Sequence, residues 1–225
     1  EMEEVDKPSE TRHPILREAI TRHWRGNPIE IASIADVPAG TGLGSSGAYT
    51  VCLLKALALG QHLSTTPAWL AESACEIEID ILGEPVGKQD QYVAAHGGIC
   101  AYTFEPDGSV EVRPLRLSER TRIALSDNFL LFYTGEVRSA SAILSDQTKR
   151  TEAGDQAMTD NLHRTKELGY HSCELLESGE LELAAGIASR LAWPWLIRGH
   201  LREGVGWLDR VLAAGEHIGR TLPAR

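Results

Sequence analysis

The sequence predicts a mixed α+β domain followed by a mainly helical C-terminal segment. Up to residue 138, apolar residues at helical spacing alternate with short segments rich in β-branched residues. From residue 139 to 183 the pattern is mainly helical, with breaks near Gly154 and Gly179. The composition then shifts, and the stretch 185–225 holds three of the five tryptophans.

Two helices are predicted before residue 61. Residues 14–24 place apolar side chains on one side of a helix that Gly26-Asn27-Pro28 ends. Residues 45–59 form an alanine- and leucine-rich helix that stops at Gly60. Between these helices, residues 29–37 are rich in β-branched side chains, and we predict a strand there.

A third helix is predicted from Thr66-Pro67 to Gly83. Threonine at the N-cap with proline at the first helical position is a typical start, and glycine is a typical end. A loop from Glu84 to Asp90 then leads into a short helical turn that Gly97-Gly98 closes. Further strands are predicted at residues 99–104, 110–117 and 129–134.

The charge and the hydropathy pattern argue against two classes of protein. The formal net charge is −10, whereas a general nucleic-acid-binding surface is usually basic. No apolar run approaches the roughly 20 residues that a transmembrane helix needs, and the acidic N-terminus is unlike a signal peptide. We therefore expect a cytoplasmic protein that binds neither nucleic acid nor membrane.

Residues 38–46, Pro-Ala-Gly-Thr-Gly-Leu-Gly-Ser-Ser, form the sharpest motif in the chain. Its alternate glycines allow backbone conformations that other residues resist, and they let a ligand approach the backbone closely. The helix that follows offers unpaired N–H groups and the positive end of its dipole. Two serine hydroxyls add one contact for a phosphate oxygen and one for Mg²⁺. The motif predicts a polyphosphate site.

Three other interpretations of this loop are possible. A serine-capped glycine turn without a ligand remains open, because glycine-rich motifs have a real false-positive rate. A Walker A loop fits poorly, since it would end in Gly-Lys-Ser/Thr where this loop has Gly-Ser-Ser. A dinucleotide-binding fingerprint also fits poorly, because a further helix follows where that fold needs a strand.

Three acidic residues, Glu76, Glu78 and Asp80, crowd the C-terminal end of the predicted third helix, with no basic residue among them. The helix dipole disfavours each negative charge there by about 0.3–1 kcal/mol. A compensating cation is therefore a reasonable inference. The alternative is a solvated acidic face with a purely structural role.

The nine loop residues match the Pro-x-x-x-Gly-Leu-Gly-Ser-Ser motif of the GHMP kinases, and the chain resembles that family over about residues 14–182. The family includes galactokinase, homoserine kinase, mevalonate kinase and phosphomevalonate kinase. Residues 75–98, 130–135 and 161–169 look most like its heptose 7-phosphate kinase branch, although fucokinase-type relatives share much of this pattern.

This resemblance implies a fold and a set of site residues. The fold would be the GHMP kinase N-terminal domain, which is like domain 2 of ribosomal protein S5, and the ligands would be ATP, Mg²⁺ and a sugar or sugar phosphate. The residues implied for ATP phosphate binding are Pro38, Gly40, Gly42, Leu43, Gly44, Ser45 and Ser46. Ser46 and Glu78 would bind Mg²⁺.

The resemblance also implies two catalytic residues in the loop from Glu84 to Asp90. Asp90 would lie beside the substrate hydroxyl as a base or orienting group. Lys88 would neutralise the transferring phosphate or grip a substrate phosphate. The alternative for Lys88 is a surface lysine paired with Glu84 or Asp90.

Three regions are expected along the chain: an ATP-binding domain at 1–138, the helical start of the kinase C-terminal region at 139–184, and a helical tail at 185–225. We expect the family's N-terminal motif to lie upstream of Glu1, and its C-terminal glycine-rich motif does not follow Ser178. The tail resembles the helical-repeat region of bacterial ATP-dependent transcriptional regulators. Its tryptophans predict either a protein partner or ordinary core packing.

These observations lead to a kinase as the first hypothesis. The chain would phosphorylate a hydroxyl of a sugar or sugar phosphate with ATP, as a partial catalytic domain that binds nucleotide more weakly than a complete family member. The alternative is a catalytically inactive remnant of such a kinase fused to a helical protein-interaction tail. A fragment of a transcription regulator is the third hypothesis.

Overall fold

The computed structural model describes residues 3–36, 42–128 and 140–179. The predicted strand 129–134 and the predicted tail 185–225 lie outside these residues. None of the described helices is long and apolar enough to cross a membrane.

The chain divides into two compact units. One comprises Glu1–Leu115 and Leu130–Arg164, and it contains the candidate site. The other comprises Arg116–Phe129 and Thr165–Arg225. The three regions expected from the sequence stay predictions.

Four α-helices and one π-helical segment build the described core of the first unit. A short 3₁₀ turn, Pro8–Glu10, precedes them. In chain order they are α1 (Pro14–His23), α2 (Ser45–Gly60), α3 (Pro67–Cys75), the π-helical segment (Glu76–Ile81) and α4 (Gln89–His96). The predicted N-cap is confirmed, since the Thr66 hydroxyl accepts a hydrogen bond from the Trp69 amide at 3.1 Å.

Helix α2 lies at the centre of the first unit and contacts α1, α3 and α4. It is apolar on most of its sides, as expected for a buried helix. The buried core residues are Ala19, Val51, Leu53, Leu54, Leu57, Leu70, Ala74 and Ile77. Full burial of each large aliphatic side chain stabilises the fold by about 1.5–3 kcal/mol. The core therefore holds the N-terminus of α2 in place.

An antiparallel hairpin follows α4. Strand β1 (Cys100–Phe104) pairs with β2 (Val110–Pro114), with Tyr102 opposite Val112. The Asp107 carboxylate shapes the turn by accepting from the Ser109 amide at 2.9 Å. These two predicted strands are confirmed, although the second ends at Pro114 rather than at residue 117. The hairpin packs on a second core cluster, which consists of Ala71, Cys75 and Tyr92.

The predicted strand 29–37 is wrong over residues 29–36, which adopt no regular structure. A strand needs a neighbour to satisfy its backbone groups, and no described segment pairs with this one. Ile34 is 96% exposed, so its β-branched side chain reflects no burial. Val37 lies outside the described residues.

The C-terminal helices confirm the mainly helical pattern and its breaks. Helix α6 (Ala140–Glu152) ends before Gly154, and α7 (Gln156–Ser178) ends before Gly179; both glycines have positive φ. Helix α5 (Glu119–Asn128) was not predicted. A local signal for it existed, because the Ser118 hydroxyl caps its first turn by accepting from the Thr121 amide at 3.0 Å.

Candidate active site

We call residues 38–46, the predicted polyphosphate site, the phosphate loop. Its described part, residues 42–46, leads directly into α2. Gly42 and Gly44 have φ of +77° and +68°, in the left-handed region that favours glycine. Gly44 is the N-cap of α2, and its carbonyl accepts from the Ala48 amide at 3.0 Å. The N-terminus of a 16-residue helix therefore opens at the end of this loop. Two of the predicted phosphate contacts, Pro38 and Gly40, lie outside the described residues.

Asp90 lies against this loop end, and glycines make the approach possible. A Cβ atom at Gly44 would stand 3.0 Å from the Asp90 Cγ atom. A Cβ atom at Gly47 would stand 3.0 Å from the Asp90 carbonyl carbon and 3.0 Å from the Gln91 nitrogen. Helices α2 and α4 are thus in backbone contact where the carboxylate meets the loop.

Glu78 is a buried carboxylate beside the same helix start. Its side chain accepts a hydrogen bond from the Ser46 hydroxyl through Oε2. The residue is 2% exposed, and Oε1 is buried without a hydrogen-bond partner among the residues that the structure describes. A buried anionic oxygen without a partner is costly, and a hard cation is one group that would satisfy it.

The π-helical segment is the element that presents Glu78. The Leu82 amide bonds to the Ile77 carbonyl and the Glu84 amide bonds to the Glu78 carbonyl, each at 3.0 Å. The sequence predicted one uninterrupted α-helix up to Gly83, so the widened turn is a correction. Single π-helical turns inside α-helices are frequent at functional sites.

Lys88 is anchored away from the loop. Its Nζ atom donates to the Gly108 carbonyl at 2.8 Å and lies 3.5 Å from the Glu72 carboxylate. The Tyr92 hydroxyl donates to the other oxygen of Glu72. Burial, followed by the bond to Glu72, raises the pKa of Tyr92, so its hydroxyl stays protonated at neutral pH.

The described site residues fall into two groups. Gly44, Ser46, Glu78 and Asp90 come together at the start of α2, with Ser45 as its first residue, while Leu43 is 52% exposed beside them. Lys88 instead joins a cluster with Glu72. Among the described residues, no group of three or more His, Cys, Asp or Glu side chains could hold a metal. A Mg²⁺ ion here would need phosphate oxygens as further ligands.

Sequence reasoning missed Gly47, Glu72 and Tyr92. Gly47 lies within the first turn of the predicted helix rather than at its end, which is a weak sign of close backbone approach. Lys88 and Tyr92 are four residues apart, a spacing that places two residues on one face of a helix, and a common partner could have been sought from it. Nothing local pointed to Glu72 as that partner.

Comparison with known proteins gives a consistent result. Residues 14–98 match the GHMP kinases N terminal domain. The chain is 34% identical over 150 residues to D-glycero-alpha-D-manno-heptose 7-phosphate kinase of Campylobacter jejuni. The aligned stretch covers 66% of this chain and 44% of that protein. It is 27% identical over 168 residues to the bifunctional fucokinase/GDP-fucose pyrophosphorylase of Arabidopsis thaliana, or 73% of this chain and 16% of that protein.

A solved structure agrees with the sequence comparisons. The crystal structure of a D-glycero-D-manno-heptose 1-phosphate kinase from Bacteroides thetaiotaomicron superposes with a TM-score of 0.57 at 27% identity, covering 77% of this chain and 50% of that one. The chain thus spans half or less of the length of these relatives. The resemblance that the loop motif predicts is confirmed over residues 14–98, which match the GHMP kinases N terminal domain.

Proposed function

We propose that this chain is the nucleotide-binding part of an ATP-dependent kinase that phosphorylates a hydroxyl of a sugar or sugar phosphate. The observation that supports it best is the contact between Asp90 and Gly44, which puts a carboxylate at the end of a phosphate-type loop. The relatives named above are sugar and sugar-phosphate kinases, and they supply the substrate class.

The phosphate site of the proposal is the start of α2. Gly42 and Gly44 leave the backbone open to a ligand, and the first N–H groups of the helix have no partner within the helix. An anion placed there is stabilised by the helix dipole and by direct N–H bonds. We assign Leu43, Ser45 and Ser46 to the same site, together with Pro38 and Gly40.

The Mg²⁺ site of the proposal consists of Ser46 and Glu78. Because Ser46 donates its proton to Oε2 of Glu78, the Ser46 oxygen keeps its lone pairs. In the described part of the chain, Oε1 of Glu78 has no hydrogen-bond partner. One hydroxyl and one carboxylate fit a cation that takes its other ligands from water and phosphate. When bound, Mg²⁺ would supply charge neutralisation on the β- and γ-phosphates.

The substrate hydroxyl is assigned to Asp90. A carboxylate at the loop end is placed to orient the hydroxyl and to accept its proton as the γ-phosphoryl group moves. Positioning and charge neutralisation supply most of the rate in such reactions. Lys88 keeps its assignment to the transferring or substrate phosphate as a proposal, although its ammonium already binds Glu72 and Gly108.

Calorimetry and a turnover assay test the proposal together. The chain is titrated with Mg-ATP, and ADP release is then followed with a panel of hexoses, heptoses and their phosphates. Heat on titration and ADP release with one of the sugars support the kinase. No heat at millimolar nucleotide contradicts it and favours the inactive remnant.

A cytoplasmic location, and a protein partner for residues 185–225, belong to the same proposal.

A further inference from the structure

Helix α4 holds Asp90 in its first turn, and one carboxylate ties down the residues on either side of it. We infer that Glu72 of α3 is a positioning residue, which fixes Asp90 through Lys88 and Tyr92. This inference rests on the proposed kinase function for its catalytic meaning, but the anchoring itself is a property of the fold.

The two anchors are symmetric about Asp90. Lys88 lies two residues before it and Tyr92 two residues after it. Lys88 Nζ lies 3.5 Å from Oε2 of Glu72, and the Tyr92 hydroxyl donates to Oε1. The amide of Tyr92 donates a hydrogen bond to the Lys88 carbonyl at 3.2 Å, and this bond closes the turn that contains Asp90. The Glu72 carboxylate therefore restrains both ends of this turn.

A short helix needs such restraint. Helix α4 has eight residues, and isolated helices of that length are not stable in water. The contact with Gly47 restrains the backbone at Asp90 from α2. The Glu72 contacts restrain the same turn from α3, and the bond from Lys88 to Gly108 ties it to the hairpin as well. These contacts together set where the Asp90 carboxylate sits.

The chemistry of the cluster favours positioning over global stability. The Lys88 and Glu72 side chains are 30% and 52% exposed, and solvent screens such an ion pair strongly. Tyr92 is 4% exposed, so most of its burial survives loss of the hydroxyl contact. Removing Glu72 should thus loosen the turn while leaving the core intact.

Turnover is the first test, with Glu72→Ala, Glu72→Gln and Tyr92→Phe compared in the full chain. Glu72→Ala should lower kcat by about 10- to 100-fold, because small displacements of a reacting group are costly. The Kd for Mg-ATP should stay within about twofold, since the start of α2 is untouched. Glu72→Gln keeps an acceptor for Tyr92 and should recover part of kcat. Glu111→Gln, an exposed glutamate on β2, is the matched control.

Double variants sharpen this test. Tyr92→Phe should cost little further kcat in the Glu72→Ala background, because both changes remove the same contact. Additive losses would overturn the shared-acceptor model. An unchanged kcat in a folded Glu72→Ala variant would overturn the positioning role, as would an equal loss of kcat and Mg-ATP affinity.

Amide hydrogen exchange tests the anchoring without any turnover. In Glu72→Ala the Tyr92 amide should exchange several-fold faster, while the Ala48 amide in α2 keeps its rate. Faster exchange at Tyr92 supports the anchoring even in a chain that turns over no substrate, where the proposed function alone would fail. Unchanged exchange at Tyr92 overturns the anchoring whatever the activity.

Discussion

The Ser46 hydroxyl donates a hydrogen bond to Glu78, and the second carboxylate oxygen of Glu78 is buried with no partner within residues 3–36, 42–128 and 140–179. The two residues are 32 positions apart and come from different helices. A buried carboxylate oxygen without a partner costs stability, because only one of the two oxygens is satisfied. A cation that binds at this oxygen should therefore also stabilise the folded state.

Glu78→Gln should separate these two effects. The amide keeps the shape but removes the buried charge, so we expect the free energy of unfolding without ligand to rise by about 1–3 kcal/mol. The same change should weaken Mg-ATP binding and abolish its dependence on Mg²⁺. Urea unfolding and calorimetry with and without Mg²⁺ measure the two effects. A stability loss combined with unchanged Mg²⁺ dependence would contradict the metal assignment.

Gly47→Ala tests the contact between α2 and α4. The new methyl group would meet the Asp90 backbone at 3.0 Å, so α4 must shift. We expect a loss of about 1–3 kcal/mol in the free energy of unfolding and a larger fractional loss of turnover than of Mg-ATP affinity.

Gly87→Ala is the matched control for this change, since a Cβ atom there would meet no atom of the described residues within 4 Å. It should leave the free energy of unfolding almost unchanged. Equal effects of the two alanines would show that the close approach at Gly47 does not matter.

The stability of the fold should also depend on His23. Burial, as the largest effect, lowers the pKa of His23 below 6.5, with Arg22 and Arg25 lowering it further and Glu76 opposing them. The folded state thus favours the neutral imidazole. The neutral imidazole adds to the free energy of unfolding. This contribution is fully present above pH 6.5, and it is lost as the pH falls from 6.5 through the pKa of His23 in the folded state.

Urea unfolding at about pH 7.5 and about pH 5.5 checks this direction. The wild-type chain should lose more stability between the two values than His23→Gln, which has no imidazole to protonate. A loss of the same size in both chains would assign the acid sensitivity to other groups.

Local signals made much of this site predictable. The glycines and serines of the loop predicted the positive φ values at Gly42 and Gly44 and the start of α2. Thr66 predicted the start of α3. These features depend on residues that are neighbours in sequence. Asp90 and Glu78 were named through family resemblance; the structure places both beside α2, and their roles stay proposals.

Features that depend on distant residues could not be predicted. The Glu72 contacts join residues up to 20 positions apart. The π-helical segment Glu76–Ile81 has a sequence in which acidic residues alternate with isoleucine, and this pattern does not predict a π-helix. Residues 29–36 failed as a strand for the same reason. Their β-branched side chains favour a strand, but pairing decides it, and no described segment pairs with them.

The substitution Asp90→Asn tests the central claim most directly, with Asp146→Asn, an exposed aspartate on α6, as the control. Turnover and Mg-ATP affinity are measured on the same preparations of both variants and the wild-type chain. The kinase account predicts that Asp90→Asn loses turnover almost completely while its Kd for Mg-ATP stays within about twofold of the wild-type value. Parallel loss of turnover and affinity, or turnover equal to that of the control, would contradict it.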